Sequence, residues 1–321
     1  MSWPKDSKVL ALCGGIGGAK LALGLSRVLA PEQLMIVVNT GDDFEHFGLL
    51  VCPDLDTVTY TLAELCNPET GWGRRDETWR CLETLEQLGA ETWFRLGDRD
   101  LAIHMARRAL LDQGRTLSEI TTLIACRLGI AHHILPMSDA AVRTMIDTDQ
   151  GEISFQHYFV REQCQPAVRG IRFDGSGDAP LSHGFENALE DPALAVILIC
   201  PSNPFVSIAP ILALPGIEER MRRHKAPVIA VSPIIAGKAI KGPTAKMMNE
   251  LGLDLSALGV YLHYGDLLDG FVFDEQDHEL IDEFPDTGRL HCCNTVMASL
   301  DDRIALAREC LRFAASLNEP R

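Results

Sequence analysis

The stretch Lys8-Val9-Leu10-Ala11-Leu12-Cys13-Gly14-Gly15-Ile16-Gly17-Gly18-Ala19-Lys20 decides the fold. The apolar run over Lys8–Cys13 reads as a first strand. Glycines follow at once, and apolar residues then recur at helical spacing over residues 18–29. Residues 34–39, rich in β-branched side chains, predict a second strand. Strand, glycine turn, helix and strand open an α/β sheet. Backbone N–H groups in such a turn can approach a phosphate at the helix N-terminus. Gly14, Gly15, Gly17 and Gly18 are therefore candidate ligand contacts, with Gly15 and Gly17 expected to exclude any side chain because a Cβ would hold a diphosphate away. Lys20 either adds charge there or is a solvated helix residue. Two familiar signatures fail. No GxxxxGK is followed by Ser or Thr, and Lys20 stands where the dinucleotide fingerprint has its third glycine. The second strand also ends in Asn39 rather than an acid that would hold a ribose.

Outward from this stretch the rhythm repeats. Apolar runs at 130–135, 193–200 and 227–232 are each followed by Pro, Ser or Gly, as buried parallel strands are. Residues 77–88, 101–111, 117–128, 217–224, 244–251 and 301–317 read as helices. Residues 143–147, 152–160 and 167–173 break the rhythm as consecutive strand-like pieces. The expected architecture is α/β: a Rossmann-like, mainly parallel sheet with helices on both faces. Residues 1–139 and 186–321 would form it, with a small antiparallel subdomain inserted at 140–185.

Composition sets limits. A chain of 321 residues with 46% hydrophobic residues suits one large domain with an elaboration. It contains no uncharged apolar stretch of about 18 residues, so a membrane span is not expected. A polar start and no leader-like apolar core point to the cytoplasm. The 29 Lys and Arg against 45 Asp and Glu leave a net charge of −16, which argues against nucleic acid as a partner. An acidic protein that binds phosphates needs local cations or a metal. The ten cysteines form no CxxC pair and read as reduced, small core hydrophobes.

Acidic residues follow the second strand. Asn39-Thr40-Gly41-Asp42-Asp43 and Pro53-Asp54-Leu55-Asp56-Thr57 place four carboxylates at the expected C-terminal edge of the sheet. Hard oxygen ligands of this kind suit Mg2+, which bridges to substrate phosphates. Asp42 and Asp56 are the expected metal ligands; Asp43 or Asp54 would support them or accept a proton. The competing reading makes these acids turn formers and helix caps. Further polar loops, at Gly97-Asp98-Arg99-Asp100, Ser138-Asp139, Ser202-Asn203-Pro204 and Ser232-Pro233, follow other elements and would converge on the same edge.

These motifs, with Gly71-Trp72-Gly73, Arg75-Asp76-Glu77-Thr78-Trp79, Trp93-Phe94-Arg95-Leu96, Phe155-Gln156 and Ser232-Pro233-Ile234-Ile235-Ala236-Gly237, form an ordered set. The chain resembles the 2-phospho-L-lactate transferase family, from about residue 8 to 240. The resemblance implies a donor in which guanosine diphosphate activates a 2-phospho acid, and an acceptor, the deazaflavin Fo. The terminal ribityl hydroxyl would attack the phosphorus that carries the acid, and GMP would leave. It further implies Mg2+ dependence, a homodimer, and preference for guanosine over adenosine. Asn39, Thr40, Thr57, Trp72, Arg75 and Asp76 would join the substrate contacts, and Trp72, Trp79 and Trp93 are candidates to stack on the deazaflavin. Two other readings compete: a related regulator that binds nucleotide-sugars without catalysis, and a dehydrogenase, which the missing ribose acid disfavours.

Overall fold

The computed structural model describes residues 3–239 and 242–317. Its strands are β1 (Lys8–Cys13), β2 (Leu34–Val38), β3 (Phe44–His46), β4 (Leu49–Val51), β5 (His133–Pro136), β6 (Arg143–Thr148), β7 (Gly151–Ser154), β8 (Val168–Asp174), β9 (Leu194–Ile199), β10 (Val228–Val231), β11 (Ile234–Ile235), β12 (Lys238–Ala239), β13 (Gly270–Asp274) and β14 (Leu290–Cys293). Its α-helices are α1 (Gly15–Ser26), α2 (Pro53–Leu62), α3 (Arg80–Gln87), α4 (Asp98–Leu111), α5 (Leu117–Arg127), α6 (His183–Glu190), α7 (Ala209–Leu212), α8 (Ile217–Arg223), α9 (Thr244–Glu250), α10 (Ala257–Tyr264) and α11 (Leu300–Leu317).

Seven strands form one parallel sheet in the order β14-β13-β10-β9-β1-β2-β5. Both faces are covered, and the period of two divides each strand between two cores. Leu10, Leu12, Met35, Val37, Ile197 and Ile199 enter one core with α6, α8, α9 and α10. Val9, Ala11, Cys13, Ile36, Val38 and Leu198 enter the other with α1, α2, α5 and α11. The α/β class and helices on both faces are therefore as the sequence predicts. Among the described residues no helix is long and apolar enough to cross a membrane.

Strand order positions the site. The chain runs outward from β1 to β2 and β5, then returns to place β9 on the other side of β1. Loops leaving β1 and β9 diverge at this reversal and open a crevice at the carboxyl ends of the strands. The segment at 140–185 makes its own antiparallel sheet, in the order β7-β6-β8. Its buried Ile146, Phe155, Tyr158 and Val168 nonetheless share the first core of the main sheet.

Several details depart from the sequence reading. Residues 152–160 are not one strand: β7 stops at Ser154, and His157–Arg161 is a π-helical turn. Phe155 and Tyr158 are both buried, and Phe155 stacks on Phe159, which is helical spacing rather than alternation. The strand expected at 130–135 begins only at His133. Helix α1 begins at Gly15, three residues before its expected start, because low-propensity glycines disguise its first turn. The acids at 54–56 lie in the first turn of α2, behind Pro53 at its start, where the helix dipole favours negative charge. Cys81 and Cys126 are exposed rather than core residues.

Candidate active site

The glycine turn is built against two neighbouring loops. The Gly14 N–H donates to Ser202 Oγ at 3.1 Å, and the Gly15 N–H donates to Asp54 Oδ1 at 2.8 Å. Gly15 has φ +61°, a conformation that L side chains rarely adopt. Gly17 has a different constraint: a Cβ there would lie 2.1 Å from the Pro201 carbonyl oxygen. Loop packing, rather than room for a ligand, therefore demands glycine at Gly17, which corrects the sequence-based reason. Gly18 is buried and packs on Ser202 and Cys13.

A cavity of about 920 Å3 opens above this turn. Gly14, Gly15, Ile16, Gly17 and Lys20 form one side of its lining. The Lys20 ammonium donates to the Met297 carbonyl at 2.9 Å. Asp42, Asp54, Asp56, Thr57 and Asp100 bring acids and a hydroxyl to the same space. Trp72, Trp93, Phe94, Phe155 and Phe159 supply aromatic surface; Ser202, Asn203, Ser207 and Ser232 supply polar groups from the segments after β9 and β10, and Thr244 from the start of α9.

The acids are not equivalent. Asp54 accepts from Gly15 and, at 3.0 Å, from the Asn39 amide. Burial still lifts its carboxyl above the usual range. Asp42 is raised further, by burial first and then by the charges of Asp54 and Asp43, which outweigh the neighbouring Asn39 and Thr144. Its buried Oδ1 has no hydrogen-bond partner. Asp43 does not line the cavity. Burial pushes it up to about 7, against the opposing charges of Arg143 and Arg107 and a contact with Cys52. Asp56 is the departure of most consequence. Arg107, itself only 3% exposed, donates to both of its oxygens, with the Oδ2 contact at 3.2 Å. A carboxylate clamped bidentately by a buried guanidinium is already neutralised and is a poor choice for a cation.

This pattern tests the residues against Mg2+. Asp42 offers an orphaned, buried carboxylate oxygen, and the Asp54 carboxylate beside it raises the cost of its charge. A divalent ion would answer both, and Mg2+ usually takes only one or two carboxylates plus substrate phosphates. Asp42 and Asp54, rather than Asp42 and Asp56, are the pair that fits.

Other predicted contacts are distributed unevenly. Asp100 lies in the cavity, where it accepts from Tyr60; Tyr60 and His104 also line it, and no motif singles them out. Their signal is present only as helical spacing, since His104 lies four residues after Asp100 on α4. Asn39 does not line the cavity; its amide donates to Asp54 and to the Val206 carbonyl, and its side-chain oxygen accepts the Gly41 N–H. Thr40 and Pro204 are buried beside it without lining it. Arg75 and Asp76 are exposed and face each other at 4.0 Å, outside the cavity. Asp98 accepts from Thr78 and from the first N–H groups of α3, so it is a cap. Gly97 packs on Glu77, and the Arg99 N–H donates to the same carboxylate. Ser138 holds a turn by bonding Pro180 and Ala140, and Asp139 accepts from Ser118 at the start of α5. Trp72, 45% exposed, and Trp93 line the cavity; Trp79 does not, and carries the Arg95 guanidinium 4.4 Å over its ring.

The family model described as 2-phospho-L-lactate transferase CofD matches residues 9–289. A 2-phospho-L-lactate transferase from Methanosarcina acetivorans is 40% identical over 313 residues, covering 96% of this chain and 98% of that relative. A phosphoenolpyruvate transferase from Kitasatospora aureofaciens is 39% identical over 319 residues, covering 97% of this chain and 98% of that one. Among solved structures, a UPF0052 family member from Bacillus halodurans superposes with a TM-score of 0.53 at 14% identity, over 84% of this chain and 80% of its own. At that identity the likeness speaks to the fold alone.

Proposed function

The chain belongs to the 2-phospho-L-lactate transferase family, and from that premise we propose that it transfers a 2-phospho-acid group from a guanosine diphosphate-activated donor to the ribityl hydroxyl of the deazaflavin Fo, releasing GMP. The observation that carries this reading is one cavity that joins a glycine-turn helix N-terminus, a buried pair of acids and an aromatic wall. The first two suit a phosphate chain and its cation; the third suits a planar tricyclic ring.

The chain's own residues have separable tasks. Gly14 and Gly15 donate to Ser202 and Asp54, so in the first turn of α1 the Ile16 and Gly17 N–H groups are left to present partial positive charge to the diphosphate. Lys20 adds a full charge on the same side. Asp42 and Asp54 would hold Mg2+, which when bound neutralises the phosphates and the charge that develops on the departing nucleotide. Trp72, Trp93 and Phe159 exclude water from the acceptor side and orient its ring. Phosphoryl-type transfer demands positioning and charge neutralisation more than covalent catalysis, so no nucleophilic side chain is required. The working unit is a homodimer, which light scattering of the purified protein would check.

The test is a reconstituted reaction. Fo, GTP, a donor-forming guanylyltransferase and each of phospholactate, phosphoenolpyruvate and phosphoglycerate are supplied, and the product is weighed by mass spectrometry. A phosphodiester of Fo with one of these acids, together with GMP, is expected. Retained nucleotide binding with no product under any condition would instead favour a non-catalytic binder.

A further inference from the structure

Asp100 is held between two helices, by Tyr60 of α2 and His104 of its own α4. Its Oδ1 accepts the Tyr60 hydroxyl at 2.6 Å, and His104 Nε2 lies 3.4 Å from the same oxygen. Both contacts fall on Oδ1, and Asp100 lines the cavity. The tautomer of His104 is fixed from behind. Arg107 Nη1 is 3.0 Å from His104 Nδ1, and a guanidinium only donates, so Nδ1 accepts and the proton of a neutral ring sits on Nε2. That N–H completes no hydrogen bond although His104 is only 1% exposed. Glu77 fixes the backbone by accepting the Asp100 N–H at 2.8 Å.

We propose that Asp100 is the carboxylate that accepts the proton of the acceptor hydroxyl, with Tyr60 and His104 as its positioning residues. This rests on the transferase reading above. As the hydroxyl oxygen bonds to the phosphorus that carries the organic acid, the bond from that phosphorus to the bridging oxygen breaks. The electron pair of the broken bond leaves with GMP. The hydroxyl proton passes to Asp100 Oδ2 and then to water. The Tyr60 hydroxyl occupies Oδ1 and His104 Nε2–H stands beside the same oxygen, so Oδ2 is the oxygen offered to the substrate. The gap at His104 is of the kind that tightens when substrate closes a site. The groups that face Asp100 are Tyr60 and Asp56 on α2, His104 and Arg107 on α4, and Glu77. Burial raises Asp100, but His104, Tyr60 and Arg107 outweigh burial and hold it below its ordinary value.

The experiment compares wild type, Asp100→Asn and Tyr60→Phe in steady-state turnover over a range of pH. Asp100→Asn should lower kcat on the order of a hundredfold or more with the donor KM unchanged. Tyr60→Phe should lower kcat about tenfold, the worth of one hydrogen bond to a charged group. It should also move the acid limb of the kcat profile upward, because one group that favours the charged carboxylate is gone. A merely structural Tyr60 would leave that limb in place. Wild type that turns over while Asp100→Asn keeps kcat within about twofold, or a Tyr60→Phe profile that superimposes on wild type, overturns the assignment of Asp100 alone. Wild type that forms no phosphodiester overturns the transferase reading, and this inference with it.

Discussion

At the scale of single residues, the buried acids behave differently because their partners differ. Asp56→Asn leaves the Arg107 charge buried without its partner. Breaking such a pair from one side costs about 3–5 kcal/mol, so a marked fall in Tm is expected. Asp42→Asn removes a carboxylate with an orphaned oxygen beside another acid, so the Tm of the metal-free variant should be kept or raised. Calorimetric melting of both variants separates the two roles. Asp43 gives a pH dependence. Its folded value, about 7, lies above its ordinary 3.8. A raised acid contributes its stability fully below the unfolded value and loses it as pH rises through the folded one. The Tm advantage of Asp43→Asn over wild type should therefore grow between about pH 4 and pH 7 and then level off. An advantage that shrinks across this range would contradict the burial argument. Residue identities alone point to these four acids but cannot rank them, since Arg107 lies 51 positions from Asp56. Such a pairing is a product of the fold and leaves no local trace.

At the scale of elements, the unit β1–turn–α1 is legible because three signals agree: an apolar run, glycines and then helical periodicity. Its neighbours are less so. Helix α2 resembles a loop in sequence, because Pro53 and two acids mark turns as readily as helix starts. Strands β13 and β14 leave little mark: β13 is a five-residue run that ends in Asp274, and β14 reads Leu-His-Cys-Cys. Elsewhere the ambiguity runs the other way, since Asp98 and Asp139 look like ligands and are helix caps. Two substitutions test the glycine turn as an element. Gly17→Val should lower Tm and impair folding, because its side chain meets the Pro201 backbone. Gly15→Ala meets nothing closer than Ser207 Oγ at 3.9 Å but must hold φ +61°. That strain costs about 1–2 kcal/mol, so a folded protein with weakened GDP binding is expected, read by calorimetric titration. Unchanged GDP affinity in Gly15→Ala would make the turn purely structural.

At the scale of the whole molecule, charge and topology meet at one place. On the proposed reading, a chain of net charge −16 holds a ligand with several negative charges. The fold answers by setting helix α1, Lys20 and a pair of acids suited to a cation around the crevice between β1 and β9. Alternating strands and helices make the sheet legible from sequence. The aromatic wall is legible only in part, because Phe155 and Phe159 come from the antiparallel segment and Phe159 sits in its π-helical turn. Base preference belongs to this scale too. GDP is expected to bind more tightly than ADP, on family membership, and equal affinities in a calorimetric comparison would remove guanosine from the donor.

The most direct test of the central claim is the initial rate of phosphodiester formation from Fo, measured against free Mg2+ for wild type and Asp42→Asn. Wild type should rise from near zero as Mg2+ is added. Asp42→Asn should fall on the order of a hundredfold or more below it at limiting Mg2+, the loss expected for a disrupted metal site. A variant with near-normal turnover at limiting Mg2+ would contradict the account and return Asp42 to the role of a turn residue.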